Sequence, residues 1–225
     1  MPRAQFVSKL AHDYLARGRP SGWFEPLYAS AAGDAGKVPW ADLVPNPSLV
    51  AWAERDATAL RKGARALVVG CGLGDDAEEL ARRGVRVVAF DISPTAIDWA
   101  KRRFAGSPVS YEVADVFAPP PAYRNAFVLV FEGYTLQSFP QAMRGEAMDR
   151  ISECVGPGGT LLVVALGRDE REEVSGPPWA LAASELERLE PTGLELVRFE
   201  DFMDEETPPK RRFRAEYRRP RSAAS

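Results

Sequence analysis

Histidine is almost missing from this chain: His12 stands alone, and with only two cysteines, Cys71 and Cys154, the sequence offers no metal-ligand spacing. The same count excludes a disulfide framework, so both cysteines read as small core residues. No apolar run approaches membrane-spanning length, and Met1 to Tyr14 lack the uninterrupted apolar stretch of a secretory signal. An excess of positive charge is absent too. The formal charge of -3 and the pI near 5.4 give no polyanion-binding footprint, although Lys210-Arg211-Arg212 is locally basic and reads as a solvated strand start. These absences argue against nucleic acid, membrane and metal as partners and make the cytoplasm the expected location. What remains, 225 residues with 45% hydrophobic and 27% charged content, is enough for one domain spanning 1–225.

The chain is organised around Ala66-Leu67-Val68-Val69-Gly70-Cys71-Gly72-Leu73-Gly74-Asp75-Asp76, an apolar run that breaks into a glycine-rich turn and then an acidic helix start. A continuous apolar run suits a parallel strand buried on both faces, and the alternating glycines let backbone approach a ligand closely. A dinucleotide fingerprint would place its third glycine one position later and seat a pyrophosphate on the helix N-terminus. Here Asp75, Asp76, Glu78 and Glu79 fill that first turn and would repel phosphate. A phosphate-free, cationic nucleoside cofactor fits, and S-adenosylmethionine answers that description.

Upstream, Phe6, Val7, Leu10, Ala11, Tyr14 and Leu15 recur at helical spacing up to Gly18, followed by a long Gly-, Pro- and aromatic-rich loop from Arg19 to Asn46 that reads as a lid. The segment 1–46 is thus an N-terminal helix and lid, and 47–225 a doubly wound core. Asn46 and Pro47 start a helix that runs through Leu60 to a stop at Gly63. Downstream, strands are expected at 65–69, 85–90, 109–113, 127–131 and 160–165, with helices between them and a turn at Gly156-Pro157-Gly158-Gly159. An acidic segment follows from Arg168 to Pro178, then a helix over about 180–190 and strands at 194–199 and 213–217. In the last strand Phe213, Ala215 and Tyr217 alternate with Arg212, Arg214, Glu216 and Arg218, which suggests an antiparallel edge with its charges outward. The expected fold is α/β: a mostly parallel, seven-stranded, doubly wound sheet with an antiparallel last strand, binding ligand at the carboxyl ends of its strands.

The glycine turn, the acid Asp91 at the second strand end, Asp115 after the third strand and Pro157-Gly158-Gly159 before the fifth resemble class I S-adenosylmethionine-dependent methyltransferases. Val38-Pro39-Trp40, Pro45-Asn46-Pro47, Val68, Phe90-Asp91-Ile92-Ser93 and Ala96-Ile97 are similar to the branch holding thiopurine and halide/thiol methyltransferases. The resemblance implies that Gly70, Cys71, Gly72 and Gly74 belong to the turn around the methionine part. It also implies that Asp91 accepts the ribose hydroxyls, Ile92 packs on adenine, Asp115 with Val116 meets the adenine edge, and Trp40 with Trp23 closes over the cofactor.

Chemistry supports several of these roles directly. A carboxylate can accept both hydroxyls of a ribose, and an aromatic face can stabilise a sulfonium while excluding water. The resemblance further places the acceptor beyond the fourth strand, at Glu132-Gly133-Tyr134-Thr135-Leu136-Gln137. Glu132 would face the methionine end, and Tyr134 would orient the acceptor or shuttle its proton. Gln137, Arg168 and Trp23 are candidate substrate contacts. A thiol, with a reference pKa of about 8.5, already ionises in part at neutral pH, whereas an alcohol needs a base, and His12 lies far in sequence from the strand ends. The expected activity is metal-independent methyl transfer to a small-molecule thiol, sulfur or halide-like acceptor, leaving S-adenosylhomocysteine. An O- or N-methyltransferase of a natural-product-type molecule is the alternative. A non-catalytic cofactor-binding protein and an NAD-dependent oxidoreductase are the readings from other classes. The expected state is a monomer or weak homodimer.

Overall fold

A computed structural model describes residues 3–55 and 60–221. Its frame is a seven-stranded sheet with strands β1 (Arg65–Val69), β2 (Arg86–Asp91), β3 (Ser110–Val113), β4 (Phe127–Gly133), β5 (Val155–Leu166), β6 (Glu195–Met203) and β7 (Arg211–Arg218), in the order β3-β2-β1-β4-β5-β7-β6. β1 to β5 pair in parallel, and β7 runs antiparallel between β5 and β6. Strand order therefore reverses at β1 and β4, whose carboxyl ends open the crevice where such sheets take ligands.

The strand sequences explain the layering. Alternate residues of β1 serve opposite cores: Leu67 and Val69 point to one cluster with Val130, Leu161 and Phe213, while Ala66 and Val68 point to the other with Ala89, Leu129 and Leu162. Helix α6 (Gln141–Glu153) covers the first face through Met148 and Ile151. Helices α3 (Pro47–Arg55), α4 (Asp75–Arg82) and α5 (Pro94–Arg103) cover the second through Trp52, Leu80 and Ile97. α5 begins as its sequence dictates: Ser93 caps it by accepting from the Ala96 N–H at 3.0 Å, and Pro94 stands at its first position.

Five expectations need correction. The segment 19–46 is not an irregular loop, because helix α2 (Phe24–Ala31) lies within it, with Pro26 tolerated in its first turn. With α1 (Arg3–Leu15), α2 packs Trp23, Leu27 and Tyr28 against Ala96 and Trp99 of α5, forming a third core. The last strand is antiparallel but internal, and β6 is the edge. Its charged face is covered, since Trp52 Nε1 donates to Glu216 at 3.0 Å and Arg214 donates to Glu200 and to the Ser48 carbonyl. The Gly156–Gly159 turn lies inside β5 as an irregularity in its pairing with β4. The helix expected over 180–190 is one short turn, α7 (Ala183–Leu186), running into a 3-10 segment, Glu187–Thr192. Of the helix expected from Asn46 to Gly63, α3 accounts for 47–55, positions 56–59 lie outside the described residues, and Leu60 to Gly63 are not helical but lead through a turn into β1.

Candidate active site

At the carboxyl ends of β1, β2 and β4 lies a cleft of about 1450 Å³, roofed by the N-terminal segment and walled on its far side by the β6–β7 hairpin. Single small-molecule pockets run to roughly 300–1,000 Å³, so this cleft can hold two molecules side by side.

The floor is the glycine turn. Gly70 and Gly72 have φ of +59° and +53°, a region costly for other residues, and a Cβ on Gly70 would sit 2.3 Å from Thr135 Oγ1. The turn is fixed to β2: Cys71 N–H donates to the Phe90 carbonyl at 2.8 Å, and Gly72 N–H to Asp91 Oδ2 at 3.0 Å. Asp91 Oδ1 accepts from the Ser93 N–H at 2.9 Å. Burial raises the Asp91 pKa to about 6, although the backbone N–H groups oppose the shift. Each carboxylate oxygen keeps accepting capacity toward the cleft, which Cys71, Ile92 and Asp91 all line.

The acidic helix start divides its labour. Asp75 forms a bidentate pair with Arg103 at 2.7 and 2.8 Å, while Asp76 accepts from the Asn46 N–H at 2.6 Å. Arg103 is thus engaged by a carboxylate, and Asp76, raised to about 6 by burial, adds an acid to the cleft wall. Gly74, at φ +95°, stands at the N-terminus of α4 and outside the residues that line the cleft.

The other wall is set by β3 and the N-terminal segment. Asp115 and Val116 line it, and Asp115 accepts from the Phe117 N–H and from Ser21 Oγ, both at 3.0 Å. Above them is an aromatic box: Trp23 stacks on Phe24 at 4.0 Å, Trp40 meets Trp23, Phe24 and Tyr28 edge-on, and Trp40 Nε1 donates to the Tyr28 hydroxyl at 2.8 Å. Trp23 is buried, and its Nε1 has no hydrogen-bond partner among the described residues. α2 is fastened to α5 by Glu25, whose carboxylate accepts from Ser93 Oγ (2.5 Å), Thr95 Oγ1 (2.7 Å) and the Thr95 N–H (3.1 Å). Phe24 and Tyr28 belong to the aromatics expected in the lid, whereas Ser21 and Glu25 carry no such aromatic signal in the sequence. An acid followed by proline, Glu25-Pro26, is the signal that could have placed a helix start there.

Beyond β4 the expected acceptor residues separate. Tyr134 and Gln137 line the cleft; Glu132 and Arg168 do not. Glu132 is fully buried beneath the turn, so the expectation that it faces a cofactor is corrected: Oε1 accepts from the Thr135 and Leu136 N–H groups at 2.5 and 2.9 Å. Arg168 is corrected likewise. It donates to the carbonyls of Ala180, Asp169, Glu170 and Glu172 and pairs with Glu185 at 2.9 Å, so its guanidinium holds its own loop. Tyr134 sits at φ +66° with the Arg212 guanidinium 4.8 Å from its ring centre, and burial raises its pKa. The run Lys210-Arg211-Arg212 does lie at the start of β7, with Lys210 exposed and Arg211 half-buried, but Arg212 is not solvated: it is buried and paired with Asp204 and Glu206. His12 is exposed on α1, with Nδ1 2.7 Å from the Ser8 carbonyl, and is not among the cleft residues.

The groups present fit S-adenosylmethionine: a buried carboxylate for a ribose at the end of β2, a left-handed turn at the end of β1, and an aromatic roof, with the nearby Arg103 committed to Asp75 rather than free for a diphosphate. Strand order and cleft together define a Rossmann-like, class I S-adenosylmethionine-dependent methyltransferase. More narrowly, the chain belongs to the thiopurine S-methyltransferase family, whose family model matches residues 33–219. It is 30% identical over 197 residues to "Probable thiol methyltransferase 2" of Arabidopsis thaliana, covering 85% of this chain and 81% of that one. It is 32% identical to thiocyanate methyltransferase 1 of the same plant, over 65% and 64% of the two chains. In fold it is similar to the Burkholderia thailandensis 1,6-didemethyltoxoflavin-N1-methyltransferase, solved with S-adenosylhomocysteine, with TM-score 0.69 and 18% identity over 93% of this chain and 90% of that one.

Proposed function

We propose that this enzyme methylates the sulfur of an uncharged small-molecule thiol. S-adenosylmethionine supplies a methyl carbon already attached to a good leaving group, so the chain's task is to orient, exclude water and hold protons in place. Asp91 accepts the ribose hydroxyls, Ile92 and Val116 flank the adenine, Asp115 meets its edge with Ser21, and the turn Gly70-Cys71-Gly72 passes the methionine part. Trp40 and Trp23 cover the sulfonium side. Tyr134, held protonated by burial, is a hydrogen-bond donor to the acceptor rather than its base.

The observation that carries this reading is the state of the groups in the acceptor half of the cleft. Gln137 Oε1 already accepts the Leu166 N–H at 2.7 Å, and Lys210, Arg212 and Arg214 are each paired with a carboxylate. Such a wall offers a halide or thiocyanate no cation that is not already paired, whereas a thiol, which ionises by itself in part, makes the least demand on a base. The rim is mixed: Leu43, Val44 and Met203 expose apolar surface beside the charged Asp42, Glu205, Glu206 and Lys210. Rates of S-adenosylhomocysteine release with thiophenol, an alkyl thiol, thiocyanate, iodide, a phenol and an amine test the proposal. The expected order puts neutral thiols at least tenfold above the anions in kcat/KM; turnover of phenols or amines with no sulfur acceptor overturns it. The cytoplasm and a monomer or weak homodimer remain our proposals for location and assembly.

A further inference from the structure

Glu132 presents an unusual combination. It is a fully buried carboxyl group at the end of β4, one oxygen of which accepts from two backbone N–H groups while the other, Oε2, has no hydrogen-bond partner among the described residues. The segment it grips is under constraint. Tyr134 occupies the left-handed region at φ +66°, its N–H donates to the Val164 carbonyl at 2.9 Å, and Thr135 Oγ1 donates to the Val69 carbonyl at 3.2 Å beside Gly70. A non-glycine residue holds such a conformation only when its surroundings over-determine it. The turn thus joins the ends of β1, β4 and β5, and its outer surface is the cleft wall at Tyr134, Thr135, Gln137 and Ser138.

We infer that Glu132 is a positioning residue for methyl transfer: through Oε1 it locks the 133–136 turn and so sets where Tyr134 meets the acceptor. The inference rests on the methyl-transfer reading and assigns the role to acceptor geometry instead of charge. The positive charge that acts on Glu132, Arg144 on α6, hydrogen-bonds to Glu185 at 2.5 Å and to the Phe139 and Trp179 carbonyls and makes no hydrogen bond to Oε2.

Two substitutions separate geometry from charge. Glu132→Gln keeps an oxygen at the Oε1 position and removes the charge; Glu132→Asp keeps the charge and withdraws the oxygen by one methylene. The expected result is kcat within about threefold of wild type for Gln and a loss of about 10- to 100-fold for Asp, with S-adenosylhomocysteine affinity unchanged in both, since misplacement of an orienting group costs on that scale. Asp active with Gln inactive would assign a proton-accepting role and overturn the inference, as would kcat unchanged in both with only the melting temperature lowered. Should either variant fail to fold, amide hydrogen exchange in the wild-type enzyme decides: strong protection of Thr135 and Leu136 is expected, and exchange at loop rates contradicts it. A wild-type enzyme that methylates nothing would defeat the function reading, while amide protection would still report on the anchor.

Discussion

Asp91 ties the glycine turn to the start of α5, and the proposed function makes it the ribose acceptor. Its carboxylate is held by the Gly72 and Ser93 N–H groups and raised to about 6 by burial, so below that pH it accepts a proton and loses capacity to receive ribose hydroxyls. The sign follows: the ionised form binds the cofactor, and affinity is complete above pH 7 and falls as pH drops through about 6. Calorimetry with S-adenosylhomocysteine between pH 7.5 and 5 should show a loss approaching tenfold per pH unit below the transition, absent from Asp91→Asn, whose affinity is low throughout. A flat profile in the wild type would remove Asp91 from the ribose. This residue was legible in sequence because an acid at a strand end before Ser93-Pro94 has a single local reading once Ser93 caps the helix. Glu132 was not. It stands at an equivalent strand end, and only the path of the following turn decides whether a carboxylate faces the cleft or lies beneath it.

At the scale of elements, the sheet and its helices were readable because each rests on a local signal: apolar runs for β1 and β4, a cap and proline for α5, glycine stops for α4. The place of β7 was not, since the same alternation of apolar and charged residues serves an edge strand facing water and an internal strand whose charges are paired beneath α3. α2 was hidden for a different reason: its stabilisation is tertiary, through Leu27, Tyr28 and the Glu25 carboxylate on the N-terminus of α5, more than through its own eight residues. That attachment makes α2 the anchor of the aromatic roof on α5. Glu25→Ala removes three accepted hydrogen bonds and should raise the S-adenosylhomocysteine Kd by about 5- to 50-fold, equivalent to about 1–2 kcal/mol. Amide exchange within 24–31 should speed up while that of β1 and β4 stays fixed. Unchanged affinity and exchange would show that the roof is held by aromatic packing alone.

Across the whole molecule, the doubly wound sheet brings three strand ends, one left-handed turn and an N-terminal segment from the far end of the sequence to a single cleft. Its two halves differ in kind. The half over β1 and β2 offers hydrogen-bond acceptors and aromatic faces, and the half under the β6–β7 hairpin offers the apolar surface of Leu43, Val44 and Met203 beside arginines that are paired with carboxylates. The first suits a cationic nucleoside and the second a neutral, apolar nucleophile. One measurement tests that pairing directly: incubate the enzyme with S-adenosylmethionine carrying a deuterated methyl group and an acceptor bearing both a thiol and a phenol, then locate the label by mass spectrometry and NMR. The account predicts the labelled methyl on sulfur with an equal amount of S-adenosylhomocysteine formed. Label on oxygen, or S-adenosylhomocysteine formed without a methylated thiol, would contradict it.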